Sequence, residues 1–199
     1  MLLEKVCKGM KKTLIGTSVS AVAGAVVSAV LYHVFYAPWL LTAAITLGTI
    51  SYHLVMRLLV GGIVTITMHN HADYHKKWFQ LSHFEERLYS GLKVKRWKNH
   101  LPTYAPESFS PEKHTFDEIA QAMCQSEIVH EINMVLSFPP LLASLWFGSF
   151  AVFCITSIAA ACFDLLFVIV QRYNRPRVVK IAEKQRNRKK KGKSMTNAL

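Results

Sequence analysis

The sequence predicts an all-α integral membrane protein, with about four transmembrane helices in two hairpins and a cytoplasmic amphipathic helical segment between them. Three observations carry this. Of 199 residues 51% are hydrophobic and 18% charged, with a mean hydropathy of +0.21. The apolar residues are gathered into blocks of transmembrane length rather than spread along amphipathic elements. The basic residues fall almost entirely outside those blocks.

The first span runs from about Thr13 to Tyr36 and the second from about Trp39 to Thr67. Ala37-Pro38 separates them, because a proline cannot continue the preceding helix. A basic start followed by an apolar stretch has the outline of a secretory signal. The stretch is longer than the usual signal core and a second span follows at once, so it reads as a retained span. Residues 1–67 thus form an N-terminal transmembrane hairpin.

The block Ile132 to Val170 is too long for one helix across a hydrocarbon core of about 30 Å, and is expected to fold back near Gly148-Ser149. This C-terminal hairpin spans residues 132–177 and ends in Gln171-Arg172-Tyr173-Asn174-Arg175-Pro176-Arg177. Residues 178–199 form a basic tail, read as disordered. A re-entrant C-terminal pair in place of two full spans leaves the same ends on the same side. With four spans, Lys5, Lys8, Lys11 and Lys12, the basic residues between Lys76 and Lys113, and those from Arg172 onward share one side, leaving only Arg57 at membrane depth. The positive-inside rule puts that side, and both termini, in the cytoplasm. Orientation accounts for the net charge of +12 without nucleic acid, for which no recognition module is visible. Cys7, Cys124, Cys154 and Cys162 show no paired spacing, and neither disulfides nor thiol catalysis is expected.

Residues 68–131 are too many for an unstructured loop. Trp78, Leu81, Phe84 or Glu85, Leu88 and Leu92 recur at three- and four-residue steps, which predicts an amphipathic helix at the interface. Lys93-Val94-Lys95-Arg96-Trp97-Lys98 suits the head-group zone. Pro102, Pro106 and Pro111 mark an extended connector. Thr115-Phe116-Asp117-Glu118 has the form of a capping box opening the helix that becomes the third span.

On that helix Glu127, His130 and Glu131 share a face where the chain enters the bilayer. Ionisable groups there are functional candidates. His130 is suited to taking and returning a proton, with Glu127 one turn away to fix its tautomer; a structural His-Glu pair between helices is the alternative. Arg57 and Asp164 lie at nearly matching depths and are read as a structural ion pair, with lining of a substrate cavity as the alternative. His53, one turn before Arg57, is expected to face the same interior. His69, His71, Asp73 and His75 have the look of a metal cluster. A bundle metal site uses two Glu-x-x-His motifs and two further carboxylates, whereas only Glu127-x-x-His130 is present, and no metal is expected. The arginine motif brings planar donor forks suited to phosphate or carboxylate to a membrane surface, where a plain stop signal needs only loose lysines.

Trp97-Lys98, the Glu127-x-x-His130 helix, Pro139-Pro140 and above all the motif from Gln171 to Arg177 resemble the glycosyl-4,4'-diaponeurosporenoate acyltransferase family over roughly residues 78–180. The N-terminal hairpin and the run His69 to Tyr74 depart from it. The resemblance implies a multi-pass protein of a bacterial cell membrane. It also implies transfer of a fatty acyl chain to the sugar of a glycosylated C30 carotenoid, the last step of staphyloxanthin-type synthesis. On this reading His130 is the base and Glu127 its orienter. Arg172 and Arg175, with Asn174, bind the anionic part of an activated donor, acyl-CoA or acyl carrier protein. Tyr173 and Trp97 position the glycosylated lipid acceptor at the interface, and Lys98 and Arg177 are counted among the substrate-binding residues with no narrower role. No further cofactor is called for. The competing readings are a non-catalytic lipid-binding scaffold and, behind it, a metal-dependent membrane enzyme.

Overall fold

The computed structural model describes residues 2–101, 106–148 and 150–196, and every regular element among them is helical. Helix α1 (Leu2–Phe35) stops where Tyr36 turns left-handed at φ 53°. Helix α2 (Pro38–Met68) begins directly on its proline, whose missing N–H costs nothing in a first turn. The side chains of Lys5, Lys8, Lys11 and Cys7 lie outside the described ones. Among the described residues four stretches are long and apolar enough to cross a membrane: Lys12–Phe35, Pro38–Met68, Phe116–Phe147 and Phe150–Lys191. Contacts divide the chain into two units, Met1–Ile63 with Ile132–Asp164, and Val64–Glu131 with Leu165–Leu199.

In the first unit, several serine and threonine hydroxyls at membrane depth are absorbed by their own helices, although the buried Ser157 Oγ is not. Ser18 donates to Leu14 O at 2.8 Å and Ser51 to Leu47 O at 2.7 Å. At Gly24 a side chain would begin 3.0 Å from Leu47 Cδ1, so glycine sets the closeness of α1 and α2 there. Helix α5 (Phe116–Val135) breaks over residues 136–139 before α6 (Pro140–Phe147). Pro140 has no N–H to offer Leu136 O, and the Tyr52 hydroxyl takes that carbonyl at 2.9 Å. Helix α6 ends on Gly148 at φ 70°, where the hairpin was expected; Ser149 lies outside the described residues. An apolar cavity of about 470 Å³ borders this break, lined by Ala29, Ala44, Gly48, Pro139 and Phe153 among others.

Arg57 donates to Asp164 Oδ2 at 2.5 Å, to Ala160 O at 3.2 Å and to His53 O at 2.8 Å. Asp164 is 1% exposed and Arg57 16%. The pair offsets what each charge would cost alone at that depth, and the two carbonyls occupy further guanidinium hydrogens.

In the second unit α2 ends with His69 and Asn70 both left-handed, at φ 47° and 57°. The Asn70 N–H then donates to Gln125 Oε1 at 2.8 Å. A core of Ala72, Tyr74, Phe79, Ala120 and Cys124, with Val178 and Val179 packed on it, joins this corner to α5 and to α7 (Phe150–Thr196). The Thr115–Glu118 capping box opens α5 with reciprocal bonds of 2.8 and 3.3 Å. The amphipathic periodicity does not yield one helix from Trp78 to Leu92. Lys77–Phe79 is a 3-10 turn, and α3 (His83–Gly91) starts only after Ser82, which forms its own capping box with Glu85. Lys93, left-handed at φ 51°, separates α3 from α4 (Val94–Trp97). Of the proline connector, residues 102–105 lie outside the described residues and Pro106–Phe109 is a 3-10 turn. The tail expected to be disordered instead continues α7 as far as Thr196. Its Lys, Arg, Gln and Glu side chains are good helix formers.

Arg57→Ala strands the Asp164 carboxylate in an apolar setting and is expected to destabilise by about 3–5 kcal/mol, whereas Arg57→Met with Asp164→Leu restores most of the loss. Thermal unfolding of both variants in detergent checks this, and equal losses in the two contradict it.

Candidate functional site

The centre of the second unit is the Glu127 carboxylate, whose side chain is 0% exposed. The first turn of α5 is fixed by its capping box and by Tyr74, whose hydroxyl donates to Asp117 Oδ1 at 2.6 Å. Three turns on, Glu127 points at α7. Oε1 accepts from Arg172 NH1 at 2.6 Å, and Oε2 accepts from Arg175 NH1. One carboxylate therefore holds two guanidiniums one turn apart on the same helix. Gln171 adds a neutral bond to Ser126 Oγ at 3.3 Å.

Arg175 is 2% exposed; its second nitrogen donates to Phe79 O, and its guanidinium lies 5.2 Å from the Phe79 ring centroid. Arg172 has every hydrogen assigned. Nε and NH2 reach the two oxygens of Glu85 at 2.6 and 3.2 Å, NH1 also donates to Trp78 O at 2.9 Å, and NH2 to Gln80 O at 3.2 Å. Two arginines and two carboxylates thus neutralise one another while tying α7 to α5, to α3 and to the Trp78–Gln80 turn. Burial pushes the Glu85 carboxyl up, but the Arg172 hydrogen bond and the Ser82 cap outweigh it and hold the group below its ordinary value. Trp78 closes the outer edge, its indole N–H donating to Glu131 Oε2 at 3.0 Å.

His130 sits one turn beyond Glu127, its ring stacked on Phe167 at 4.6 Å between centroids and 9° between planes. The helix bearing the expected base and the membrane exit of α7 are therefore side by side. Elsewhere on α7 a separate group forms around Tyr173. Arg177 lies 4.4 Å from the ring centroid and donates to the phenol oxygen at 2.9 Å. Lys98 lies 5.3 Å from the same centroid and donates to Asn174 Oδ1 at 2.5 Å. Trp97 packs with Tyr173 against Tyr89, Val94 and Ile169, and its N–H donates to Leu92 O at 3.1 Å.

Residues 75–184, more than half of the chain, match the family described as glycosyl-4,4'-diaponeurosporenoate acyltransferase. The match begins just before the Trp78–Gln80 turn, ends beyond Arg177, and so contains both arginine clusters and His130. The chain belongs to the glycosyl-4,4'-diaponeurosporenoate acyltransferase family. It is a membrane acyltransferase of carotenoid glycolipid biosynthesis. No curated protein and no solved structure matches the chain.

Within this acyltransferase the expected site residues separate into groups. Glu127, expected to orient His130, is clasped by Arg172 and Arg175, because two guanidiniums compensate a buried carboxylate better than one imidazole. Arg172 and Arg175, expected to grip the donor, are spent on the protein's own carboxylates and carbonyls. Lys98, Tyr173, Asn174 and Arg177 form one contact group, with Trp97 packed beneath it. Arg57 and Asp164 pair within the first unit. Among the described residues no three His, Cys, Asp or Glu side chains gather as metal ligands, the run from His69 to His75 included. Sequence reasoning missed Glu85 as the second anion of the clamp, and Phe167 as the platform for His130. For Glu85 a signal existed in Ser82-x-x-Glu85, the spacing of a capping box; for Phe167 none did.

Because the Glu85 carboxyl is depressed in the fold, the stability it contributes is complete above its unfolded value of about 4.3 and is lost as pH falls through the lower folded value. Acid titration of the melting temperature should show this loss below about pH 4, and Glu85→Gln should remove that segment of the curve. An unchanged acid slope in the variant contradicts the role of Glu85. At neutral pH, Glu127→Ala leaves the buried Arg175 guanidinium without its anion and Arg172 with Glu85 alone, and is expected to cost about 3–5 kcal/mol, read as a fall in the unfolding midpoint.

Proposed function

We propose that this acyltransferase moves a fatty acyl group from a thioester donor to a sugar hydroxyl of a glycosylated carotenoid, on the cytoplasmic face of the membrane, with His130 as general base. The observation that carries the assignment is the seating of His130. It lies one turn from a rigid four-charge clamp and flat against Phe167, in the segment shared with the family. A base held by stacking and by a fixed helix register loses little orientational freedom on meeting its substrate.

The imidazole takes the hydroxyl proton as the sugar oxygen attacks the thioester carbon. The C–O bond forms, the C–S bond breaks as the tetrahedral adduct collapses, and the departing thiolate receives the proton from the imidazolium. Glu127 serves this chemistry as a positioning residue, by fixing α5 against α7. The cytoplasmic placement is supported by the one-sided distribution of Lys and Arg, with both termini on that side.

Purified protein supplied with labelled acyl-CoA and a glycosylated C30 carotenoid tests the proposal. His130→Ala should slow transfer by about 10²–10⁴-fold with melting behaviour retained, the usual contribution of a general base. Transfer by the variant at the wild-type rate overturns the assignment of the base. Labelling of other glycolipids in preference to the carotenoid overturns the acceptor alone.

A further inference from the structure

The Tyr173 group has an electrostatic property the clamp lacks: it is cationic, with no counter-ion among the described residues. Lys98 from the turn after α4 and Arg177 from α7 face the same phenol ring, and the charges bearing on Lys98 come from Arg177, Tyr173 and Lys95. Among the described residues none of Lys95, Lys98 and Arg177 is ion-paired with a carboxylate. Burial, then the nearby guanidinium, holds the Lys98 ammonium below the ordinary lysine value. Two cations held together in this way repel each other, and an incoming anion relieves the repulsion. The ring and Asn174 prevent the simplest escape, since they tether Arg177 and Lys98 at 2.9 and 2.5 Å.

The group is also aligned with the proposed base. Phe167, Val170, Asn174 and Arg177 recur at steps of three and four, which places them along one side of α7. Phe167 carries His130, and Arg177 stands about 15 Å further along at about 1.5 Å per residue. Phe167, Val170 and Asn174 are half-buried and Arg177 is exposed, so the stripe is open at its cationic end.

We infer that Lys98, Arg177 and the Tyr173 phenol between them bind a phosphate group, that of a pantetheine thioester donor, with the pantetheine arm running along the α7 stripe toward His130. This rests on the proposed thioester chemistry and moves donor recognition from the occupied Arg172 and Arg175 to the uncompensated pair. A guanidinium and an ammonium converging on one anion make charge-assisted hydrogen bonds, and loss of both is expected to cost at least about tenfold in affinity.

The test uses full-length protein in nanodiscs of zwitterionic lipid, titrated with CoA by calorimetry. Lys98→Met with Arg177→Gln should weaken CoA binding at least about tenfold, Lys98→Arg should keep it, and removal of a distant charge in Arg87→Ala should leave it unchanged. Pantetheine, which lacks phosphate, should not distinguish the double variant from wild type. In the transfer assay the variant should raise KM for acyl-CoA by a similar factor, and the rise should shrink toward unity with acyl-pantetheine. CoA binding lost in the double variant while wild type transfers no acyl group keeps the phosphate site and removes the proposed function. Unaltered CoA binding in the double variant overturns the site. A defect that appears only when anionic lipid is included also overturns it, since the group would then be a head-group anchor.

Discussion

A carboxylate removed from water and shared by two guanidiniums is the constraint on which the second unit depends. Glu127 and Arg175 are almost wholly buried, and Arg172 little less so. None of the three charges is tolerable at such depth without the others, and the fourth member, Glu85, brings the sum to zero. Because Arg172 also donates to Trp78 O and Gln80 O, and Arg175 to Phe79 O, the same four charges dictate where an irregular turn and a short helix must lie. Apolar packing by Phe79, Ala120 and Cys124 fills the space, but it does not define a register along α7 as paired charges do.

That register has functional consequences at two levels along α7. At the first it brings His130 flat against Phe167, a seat from which an imidazole meets a substrate hydroxyl with little reorientation. Further along the helix it presents Tyr173, Asn174 and Arg177 to Lys98, a group of positive charge with no carboxylate partner among the described residues. The arginine-rich motif is therefore two devices interleaved by helical periodicity. Arg172 and Arg175 face inward and build the framework, and Arg177 faces outward with its charge available. A hydropathy block ending in arginines is common in membrane proteins, but an ordinary stop signal contains neither a doubly clasped carboxylate nor a phenol between two cations.

The membrane architecture was legible because hydrocarbon makes length and charge decisive. The turn at Ala37-Pro38 and the fold-back at Gly148 followed from proline and glycine, and matching depths alone suggested Arg57 with Asp164. The capping box at Thr115 was equally readable. The partners of Glu127 were not. Within α5 its nearest suitable neighbour is His130 three residues on, whereas Arg172 and Arg175 are brought near only by tertiary packing. The start of α3 was misjudged for a related reason, since apolar periodicity continues back to Trp78 but Ser82 is the better cap and ends the helix there. The continuation of α7 through Pro176 was hidden because proline and a dense basic run both suggest an end. A helix already formed on either side absorbs the single missing hydrogen bond.

The adjacency of α5 and α7 that the clamp enforces is best measured in the membrane. Ser126 and Gln171, whose side chains meet at 3.3 Å, can each be replaced by cysteine in a chain whose own cysteines are removed, and treated with a short bifunctional thiol reagent. Efficient intramolecular cross-linking, lost when Glu127 is also replaced by alanine, is the predicted result. Absence of the cross-link, or its persistence undiminished without the Glu127 carboxylate, would contradict the clamp as the element that holds His130 in place.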